Sequence, residues 1–213
     1  MRFLIADDHI LLRQGIINSL QHYFPETDFQ EAGNSAEVLK ILRNLKVDII
    51  LLDINLPGRN GLEILKDIKV LYPEVPVIVL SMYPEDQFAV RTIRAGAFTY
   101  LTKNTPVDQL ANAIHHALKG SPYFTNSVIA LLASEVREKN VSSLQKELSD
   151  REFQVIRQIA TGKSLTEIGI ELSLSVKTIS VYRTRILQKL GLKNNSEMIN
   201  YAFQNNIIAP RDF

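Results

Sequence analysis

Hydrophobic positions in the first 120 residues follow two alternating patterns. Short runs rich in β-branched and aromatic residues occupy 2–6, 29–32, 48–53, 77–81 and 98–101. Between these runs, apolar residues recur at a spacing near 3.6 over 11–23, 36–45, 62–71, 87–95 and 107–118. Five strand-then-helix units predict a five-stranded parallel sheet with helices on both faces, an α/β fold.

The last 66 residues show helical patterns and no strand pattern. Capping boxes at Ser149–Glu152 and Ser164–Glu167 predict two helix starts. A third helix is predicted over 176–190 and a fourth from about 196 to 203, which together predict an all-α four-helix, helix-turn-helix domain. A short amphipathic helix at 128–136 and a polar stretch at 137–143 lie between the two patterns. We therefore predict domains at 1–120 and 148–213, joined by a linker with a short helix over 121–147.

The amino-acid composition excludes several kinds of functional site and targeting segment. The chain has no cysteine, which excludes disulfides, thiol catalysis and cysteine-ligated metals and fits a reducing cytoplasm. Its N-terminal apolar run is too short for a signal peptide, and no run reaches the length of a membrane span. We expect a cytoplasmic protein without membrane contact. Residues 1–120 contain 12 Lys and Arg against 14 Asp and Glu, whereas 145–213 contain 10 against 7, so only the back half carries net positive charge.

Polar residues follow four of the predicted strands, at the edge where parallel strands end together. They are Asp7 and Asp8 after the first strand, Asp53 at the third, Ser81 at the fourth and Lys103 after the fifth. Gathered carboxylates repel unless a cation neutralises them, and an all-oxygen cluster suits Mg²⁺ better than zinc. An aspartate beside Mg²⁺ can accept a phosphoryl group, which a lysine and a hydroxyl can hold.

Each of these residues has an ordinary interpretation when taken alone. Asp7 and Asp8 would then cap the following helix, and Ser81 and Lys103 would have no function. Their convergence from four strand ends favours a site. A phosphatase of the haloacid-dehalogenase type would also use a strand-end Asp, Mg²⁺, a hydroxyl and a lysine, but it expects a second acid where Asn55 stands.

The first 120 residues resemble the receiver domains of response regulators, and the resemblance covers residues 2–120. It implies a flavodoxin-like arrangement of the predicted parallel sheet. The motifs that carry it are Asp7-Asp8-His9, Asp53 followed by Leu56-Pro57 and Gly61, Ser81, Tyr100-Leu-Thr-Lys103, and Pro106. The resemblance implies that a sensor histidine kinase phosphorylates Asp53. It implies no enzyme with an external substrate, only Mg²⁺-dependent phosphoryl transfer to Asp53 and slow autodephosphorylation.

The same resemblance implies a role for each residue of the site. Asp7, Asp8, Asp53 and the backbone carbonyl of Asn55 would hold Mg²⁺, while Ser81 and Lys103 would bind the phosphoryl group. Ser81 and Tyr100 would form a switch pair that moves inward together on phosphorylation. His9 is common beside the acidic pair in this family, and we interpret it as structural.

The predicted helix at 176–190 contains four basic residues and no acid. Helical spacing places Lys177, Ser180, Thr184 and Gln188 on one face, with basic residues at its margins. Short polar side chains can read base edges while basic margins contact phosphates. The alternative is a solvated basic face on a structural helical bundle.

The back half resembles the LuxR-type helix-turn-helix, which places the whole chain with the NarL/FixJ response regulators. The matching stretches are 148–152, 159–164, 167–168, 174–179 and 185–192. The resemblance implies a DNA-reading helix at 176–190, with candidate contacts from Lys177, Ser180, Val181, Arg183, Thr184, Arg185 and Lys189. Gly169 departs from the usual alanine and should cost about 1 kcal/mol of helix stability.

The leading hypothesis is a transcription factor whose dimerisation and sequence-specific DNA binding are controlled by phosphorylation of Asp53. Double-stranded DNA, a sensor histidine kinase and, on activation, a second copy of the chain are the implied partners, and RNA polymerase is left open as another. A rival hypothesis is a constitutive DNA-binding protein whose receiver serves only for dimerisation.

Overall fold

The computed structural model describes residues 1–57, 59–137, 148–205 and 207–208. The chain divides into two compact units, Met1–Arg137 and Glu138–Phe213. Apart from residue 137, the polar stretch predicted at 137–143 lies outside the described residues.

The first unit is the predicted α/β fold. Its strands are β1 (Arg2–Ala6), β2 (Asp28–Ala32), β3 (Ile49–Asp53), β4 (Val77–Ser81) and β5 (Thr99–Thr102). Its helices are α1 (Ile10–Gln21), α2 (Ser35–Asn44), α3 (Gly61–Leu71), α4 (Glu85–Arg94), α5 (Val107–Leu118) and α6 (Asn126–Arg137). The sheet is parallel throughout, in the order β2-β1-β3-β4-β5.

The core of this unit forms on the two faces of the central strands. Every residue of β3 and β4 is buried, as expected for a parallel sheet covered on both sides. On one face the Phe3 ring packs edge-on against Phe24 and Phe29, at centroid distances of 5.1 and 5.6 Å. The continuous apolar runs of the sequence therefore predicted the sheet correctly.

Helix α4 begins at Glu85, two residues before the predicted start. Pro84 precedes it with φ −57°, an angle that proline sets by itself, and Glu85 and Asp86 place negative charge at the positive end of the helix. These signals are polar, so hydrophobic spacing, which starts at Phe88, could not detect them.

Helix α6 belongs to the first unit, where it packs against α4. Val128 on its inner face is fully buried, whereas Ile129 is half exposed. The sequence predicts this stretch as part of the linker 121–147, because a short amphipathic pattern does not reveal which surface it covers.

The second unit contains α7 (Asp150–Ala160), α8 (Leu165–Glu171), α9 (Val176–Leu190) and α10 (Asn195–Gln204). Both capping boxes are confirmed: the Ser149 and Ser164 hydroxyls accept from the backbone N–H groups three residues later, and Glu152 and Glu167 bind back to the capping residues. Gly191 ends α9 in the left-handed conformation, with φ 65°. The predicted all-α organisation is confirmed.

The turn between α8 and α9 runs over the backbone of Gly169. A Cβ atom on this residue would lie 2.8 Å from the carbonyl oxygen of Leu174, closer than real Cβ contacts. Ser173 in the same turn adopts φ 53°, a left-handed conformation that costs energy for any side chain. The turn therefore approaches Gly169 so closely that this position requires glycine, and the sequence did not reveal that contact.

Among the described residues, no helix has the length and apolar character needed to cross a lipid bilayer.

Two glycines inside helices should respond oppositely to alanine. A Cβ on Gly15 in α1 would meet no atom within 4 Å, so Gly15→Ala should raise the free energy of unfolding by up to about 1 kcal/mol through helix propensity alone. Gly169→Ala should lower it by about 1 kcal/mol or more, because the turn must shift. Urea unfolding of the full chain measures both, and stabilisation by Gly169→Ala would contradict the close approach.

Candidate functional site

The strand register brings the predicted site residues to one edge of the sheet. Ala6 pairs with Leu52, and Asp53 pairs with Leu80, so Asp7 and Ser81 follow on either side of Asp53. Ser81 pairs with Thr102, which places Lys103 directly after β5 at the same edge. The carboxyl ends of four strands therefore present their polar residues together.

Lys103 is the centre of this cluster. Its Nζ lies 2.5 Å from Asp7 Oδ2 and 2.9 Å from Asp53 Oδ2, and each of the three side chains is at most 4% exposed. One ammonium is thus shared by two buried carboxylates. The remaining Asp53 oxygen, Oδ1, accepts from the backbone N–H of Asn55 at 3.1 Å.

A third carboxylate and an imidazole complete the acidic pocket, which we define as Asp7, Asp8, His9 and Asp53. One ligand atom from each lies within 4.8 Å of the others. The pocket holds three carboxylates against the single ammonium of Lys103, so negative charge remains, and oxygen donors predominate. These residues fit a hard divalent cation such as Mg²⁺.

His9 is more closely involved than the sequence analysis assumed. Its Nδ1 lies 2.8 Å from Asp8 Oδ1 and 3.1 Å from Asp7 Oδ1, and its backbone N–H donates to Asp7 Oδ1 at 2.9 Å. The only signal in the sequence is its position directly after the two acids.

Ionisation in the pocket follows from burial and charge. Burial raises the pKa of the Asp53 carboxyl, and the neighbouring Asp7 adds to this effect, while Lys103 opposes it. Burial by itself would lower the pKa of Lys103, but attraction to Asp53 and Asp7 outweighs it, so that pKa is raised. Both pKa values are raised, but for different reasons. Asp53 lies beside a cation and a like charge, which oppose each other, whereas Lys103 lies beside two anions.

Two residues outside the predicted set shape the pocket. A Cβ on Gly61 would collide with the backbone of Asp53 and Ile54, so only glycine lets the start of α3 approach the end of β3. Arg13 on α1 donates to the backbone carbonyl of Asp7 and pairs with Glu31 at 3.0 Å. The resemblance named Gly61 only as a motif position, and nothing in the sequence singled out Arg13.

The predicted switch pair meets at one backbone segment. Ser81 Oγ accepts from the backbone N–H of Tyr83 at 3.1 Å, and the Tyr100 hydroxyl donates to the carbonyl of Tyr83 at 2.6 Å. Ser81 and Tyr100 are both fully buried. The ring of Tyr100 thus already lies inward, the position predicted for the phosphorylated state.

In the second unit, α9 presents the expected polar face. Ile179 and Ile186 are buried, while Lys177, Ser180 and Thr184 are exposed along the opposite side. Val181 is 44% exposed and Arg185 is exposed beside it. Helical spacing therefore predicted the two faces of this helix correctly.

Two basic residues of α9 have partners within the unit. Lys189 Nζ lies 2.7 Å from Oε2 of the buried Glu152 on α7, and Arg183 Nε donates to Asn195 Oδ1 of α10 at 2.6 Å. For Lys189 the observed ion pair supports a structural role better than the predicted DNA contact. Arg183 remains a candidate, since its terminal nitrogens are not used in this bond.

Comparison with protein families gives two matches. Residues 3–115 match the family described as response regulator receiver domain, and residues 146–202 match bacterial regulatory proteins of the luxR family. Over its full length the chain is similar to the oxygen regulatory protein NreC of Staphylococcus aureus strain bovine RF122 / ET3-1. The two are 32% identical, and the match covers 98% of this chain and 99% of the relative.

Solved structures give the same picture. RcsB from Salmonella enterica serovar Typhimurium, bound to promoter rprA in the presence of the phosphomimetic BeF3⁻, matches with a TM-score of 0.62 and 29% identity, over 94% of this chain and 97% of that one. A structure of two RcsB dimers bound to two parallel DNAs matches with a TM-score of 0.58 and 28% identity, over 94% and 96%.

The Glu152–Lys189 pair predicts a stability that depends on pH. Burial alone would raise the pKa of Glu152, but bonds from Lys189 and Ser149 outweigh it and lower that pKa below its ordinary 4.5. An acid whose pKa is lowered by folding stabilises above its ordinary value and loses that contribution as the pH falls. Lys189→Met should therefore cost about 1 kcal/mol at pH 7, a modest figure because the lysine is partly solvated.

That cost should shrink as the pH falls below 4.5 toward the lowered pKa. Urea unfolding between pH 7 and pH 4 measures the difference between wild type and variant. Arg185→Met, which removes an exposed charge on the same helix, is the matched control and should have little effect. A cost for Lys189→Met that is equal at all pH values would contradict the ion pair.

Proposed function

Because this chain belongs to the NarL/FixJ response regulators, with a receiver domain and a LuxR-type DNA-binding domain, we propose that it is a transcription factor controlled by phosphorylation of Asp53. The single observation that carries this proposal is the Lys103 ammonium shared by the buried carboxylates of Asp7 and Asp53. A buried carboxylate, held next to a cation and close to further acids, is arranged to receive a phosphoryl group.

The chemistry assigned to the pocket is phosphoryl transfer from a phosphohistidine of a sensor kinase. A carboxylate oxygen of Asp53 forms a bond to phosphorus while the phosphorus–nitrogen bond to the imidazole breaks, and the imidazole leaves with the electron pair. Lys103 and the Ser81 hydroxyl then bind phosphoryl oxygens. Positioning and charge neutralisation supply most of the catalysis in such transfers.

Mg²⁺ is the proposed cofactor of this step. Asp7, Asp8, Asp53 and the carbonyl of Asn55 would hold it, and it would neutralise charge on the phosphoryl oxygens and the carboxylates. The excess of acids over Lys103 in the acidic pocket supports this assignment. Hydrolysis of the aspartyl phosphate would return the chain to its resting state.

DNA binding is assigned to the exposed face of α9. Lys177 and Arg185 would contact phosphates, while Ser180, Val181 and Thr184 would face base edges in the major groove. Arg183 stays a candidate phosphate contact. The matched RcsB structures, which are described as bound to promoters and as dimers on DNA, support duplex DNA and a second copy of the chain as partners.

For these two activities we propose the domains 1–120 and 148–213 in a cytoplasmic protein. Residues 121–147 connect them, and α6 within this connection packs against the first unit. A sensor histidine kinase and RNA polymerase complete the proposed partners. The family assignment favours this function over a haloacid-dehalogenase phosphatase. The complete acidic pocket favours it over constitutive DNA binding.

Phosphorylation gives the first test of the function. Incubation with acetyl phosphate and Mg²⁺ should add one phosphoryl group to the wild type and none to Asp53→Ala, as measured by intact-protein mass spectrometry. Asp28→Asn removes an exposed carboxylate at the opposite end of the sheet and should still be labelled. Labelling of Asp53→Ala would end the assignment of Asp53.

DNA binding gives the second test. For the phosphorylated chain on a mixed-sequence duplex, Lys177→Ala should weaken binding and reduce the slope of log affinity against log salt by about one. Lys189→Met should change that slope far less, because its ammonium is paired with Glu152. Lys119→Ala, a charge-matched control in the first unit, should leave it unchanged. Equal slopes for Lys177→Ala and wild type would move the DNA interface away from α9.

A further inference from the structure

Two hydroxyl groups at the start of α6 meet one carboxylate at the start of α4. Thr125 Oγ1 donates to Glu85 Oε1 at 2.9 Å, and the Ser127 hydroxyl donates to Glu85 Oε2. Thr125 Oγ1 also accepts from the backbone N–H of Val128 at 3.3 Å, so the same hydroxyl caps α6. We call Glu85, Thr125 and Ser127 the α6 latch.

The latch is favourable for both helices. Glu85 lies in the first turn of α4 and is bonded to residues at the first turn of α6, so one negative charge serves the positive ends of two helices. Behind it, the fully buried Val128 anchors α6 in the first unit. The contact combines apolar packing with charge-assisted hydrogen bonds, which are stronger than neutral ones.

The start of α4 is also tied to the acidic pocket. Tyr83, two residues before Glu85, is held on both sides: its backbone N–H donates to Ser81 Oγ, and its carbonyl accepts from the Tyr100 hydroxyl. Its ring packs against Phe88 of α4, with centroids 4.9 Å apart. The position of Tyr83 therefore affects the position of Glu85.

We propose that the α6 latch is a regulatory device which phosphorylation of Asp53 closes, a step that rests on the function proposed above. The closed latch and the inward Tyr100 occur together in this structure, and they share the backbone segment at Tyr83. A phosphoryl group that draws Ser81 and favours the inward Tyr100 thereby favours docked α6. Because coupling between two equilibria is reciprocal, a broken latch weakens binding of a phosphoryl mimic.

Closure of the latch acts on the connection to the second unit. Helix α6 is the last element of the first unit, and the chain continues from it toward α7. While α6 is docked, the sequence between the docked part of the first unit and α7 begins after residue 137; when α6 is released, it begins before residue 126. A shorter tether raises the effective concentration of one domain near the other and restricts their relative positions.

Hydrogen exchange measured by mass spectrometry on the full chain tests the proposal. In wild type, beryllofluoride with Mg²⁺ should slow exchange over 126–134, and Tyr100→Phe, which removes only the linking hydroxyl, should abolish that slowing.

Thr125→Val should accelerate exchange of α6 by roughly fivefold, as expected for one lost hydrogen bond. Thr125→Ser retains the hydroxyl and should behave as wild type. Glu85→Gln should weaken beryllofluoride binding.

Fluorine NMR reports separately whether beryllofluoride binds at Asp53. If it binds while exchange of α6 is unchanged or faster, the latch proposal is overturned and the proposed function stands. If no bound signal forms in wild type, both are overturned. Equal exchange in Thr125→Val and Thr125→Ser would likewise remove the hydroxyl from the latch.

Discussion

The first unit depends on one ammonium group that two buried carboxylates share. Parallel topology brings the carboxyl ends of β1, β3, β4 and β5 to one edge of the sheet. The Asp7 and Asp53 carboxylates at this edge are buried, and burial of unpaired negative charge is costly. Lys103 follows β5, with the whole of β4 between it and β3, yet its long side chain reaches both Asp7 and Asp53. Removal of one partner would leave a buried charge uncompensated, which is costly. The order of the strands therefore determines which charged groups meet at the site.

Much of this arrangement could be predicted from the sequence because it follows from periodicity and topology. Runs such as 49–52 can be buried on both faces only in a covered sheet, and the residue after each strand then lies at a known edge. The sequence could not predict contacts made through the backbone. Tyr83 joins Ser81 and Tyr100 by its N–H and carbonyl, groups that every residue carries, so no side-chain pattern marks it. Arg13 escaped notice for the same reason, since it binds the carbonyl of Asp7.

In the second unit, too, the sequence predicted which face of a helix is exposed but not which groups its side chains bind. Helical spacing predicted which side of α9 is exposed, but exposure did not decide what each basic residue binds. Lys189 is paired with Glu152, 37 positions earlier in the sequence, and that carboxylate also closes the capping box of α7. Gly169 illustrates a further limit: helix propensity assigned it a cost, whereas the Leu174 carbonyl leaves no room for a Cβ. Propensity describes an isolated helix, and the helix-turn-helix is defined by how two helices meet.

Charge balance explains why a modification at Asp53 would have consequences beyond the pocket. A phosphoryl group with close to two negative charges would replace a carboxylate that carries one, so it adds about one negative charge to a site where Lys103 already serves two carboxylates. The ammonium and the proposed Mg²⁺ leave phosphoryl oxygens that still accept hydrogen bonds, so a further donor would be recruited from nearby. The Ser81 hydroxyl is the donor on the neighbouring strand, and its oxygen is engaged by the N–H of Tyr83. Because the Tyr83 N–H is hydrogen-bonded to Ser81 Oγ, a movement of the Ser81 side chain displaces the backbone segment that precedes α4. Added negative charge at the sheet edge therefore shifts backbone outside the acidic pocket.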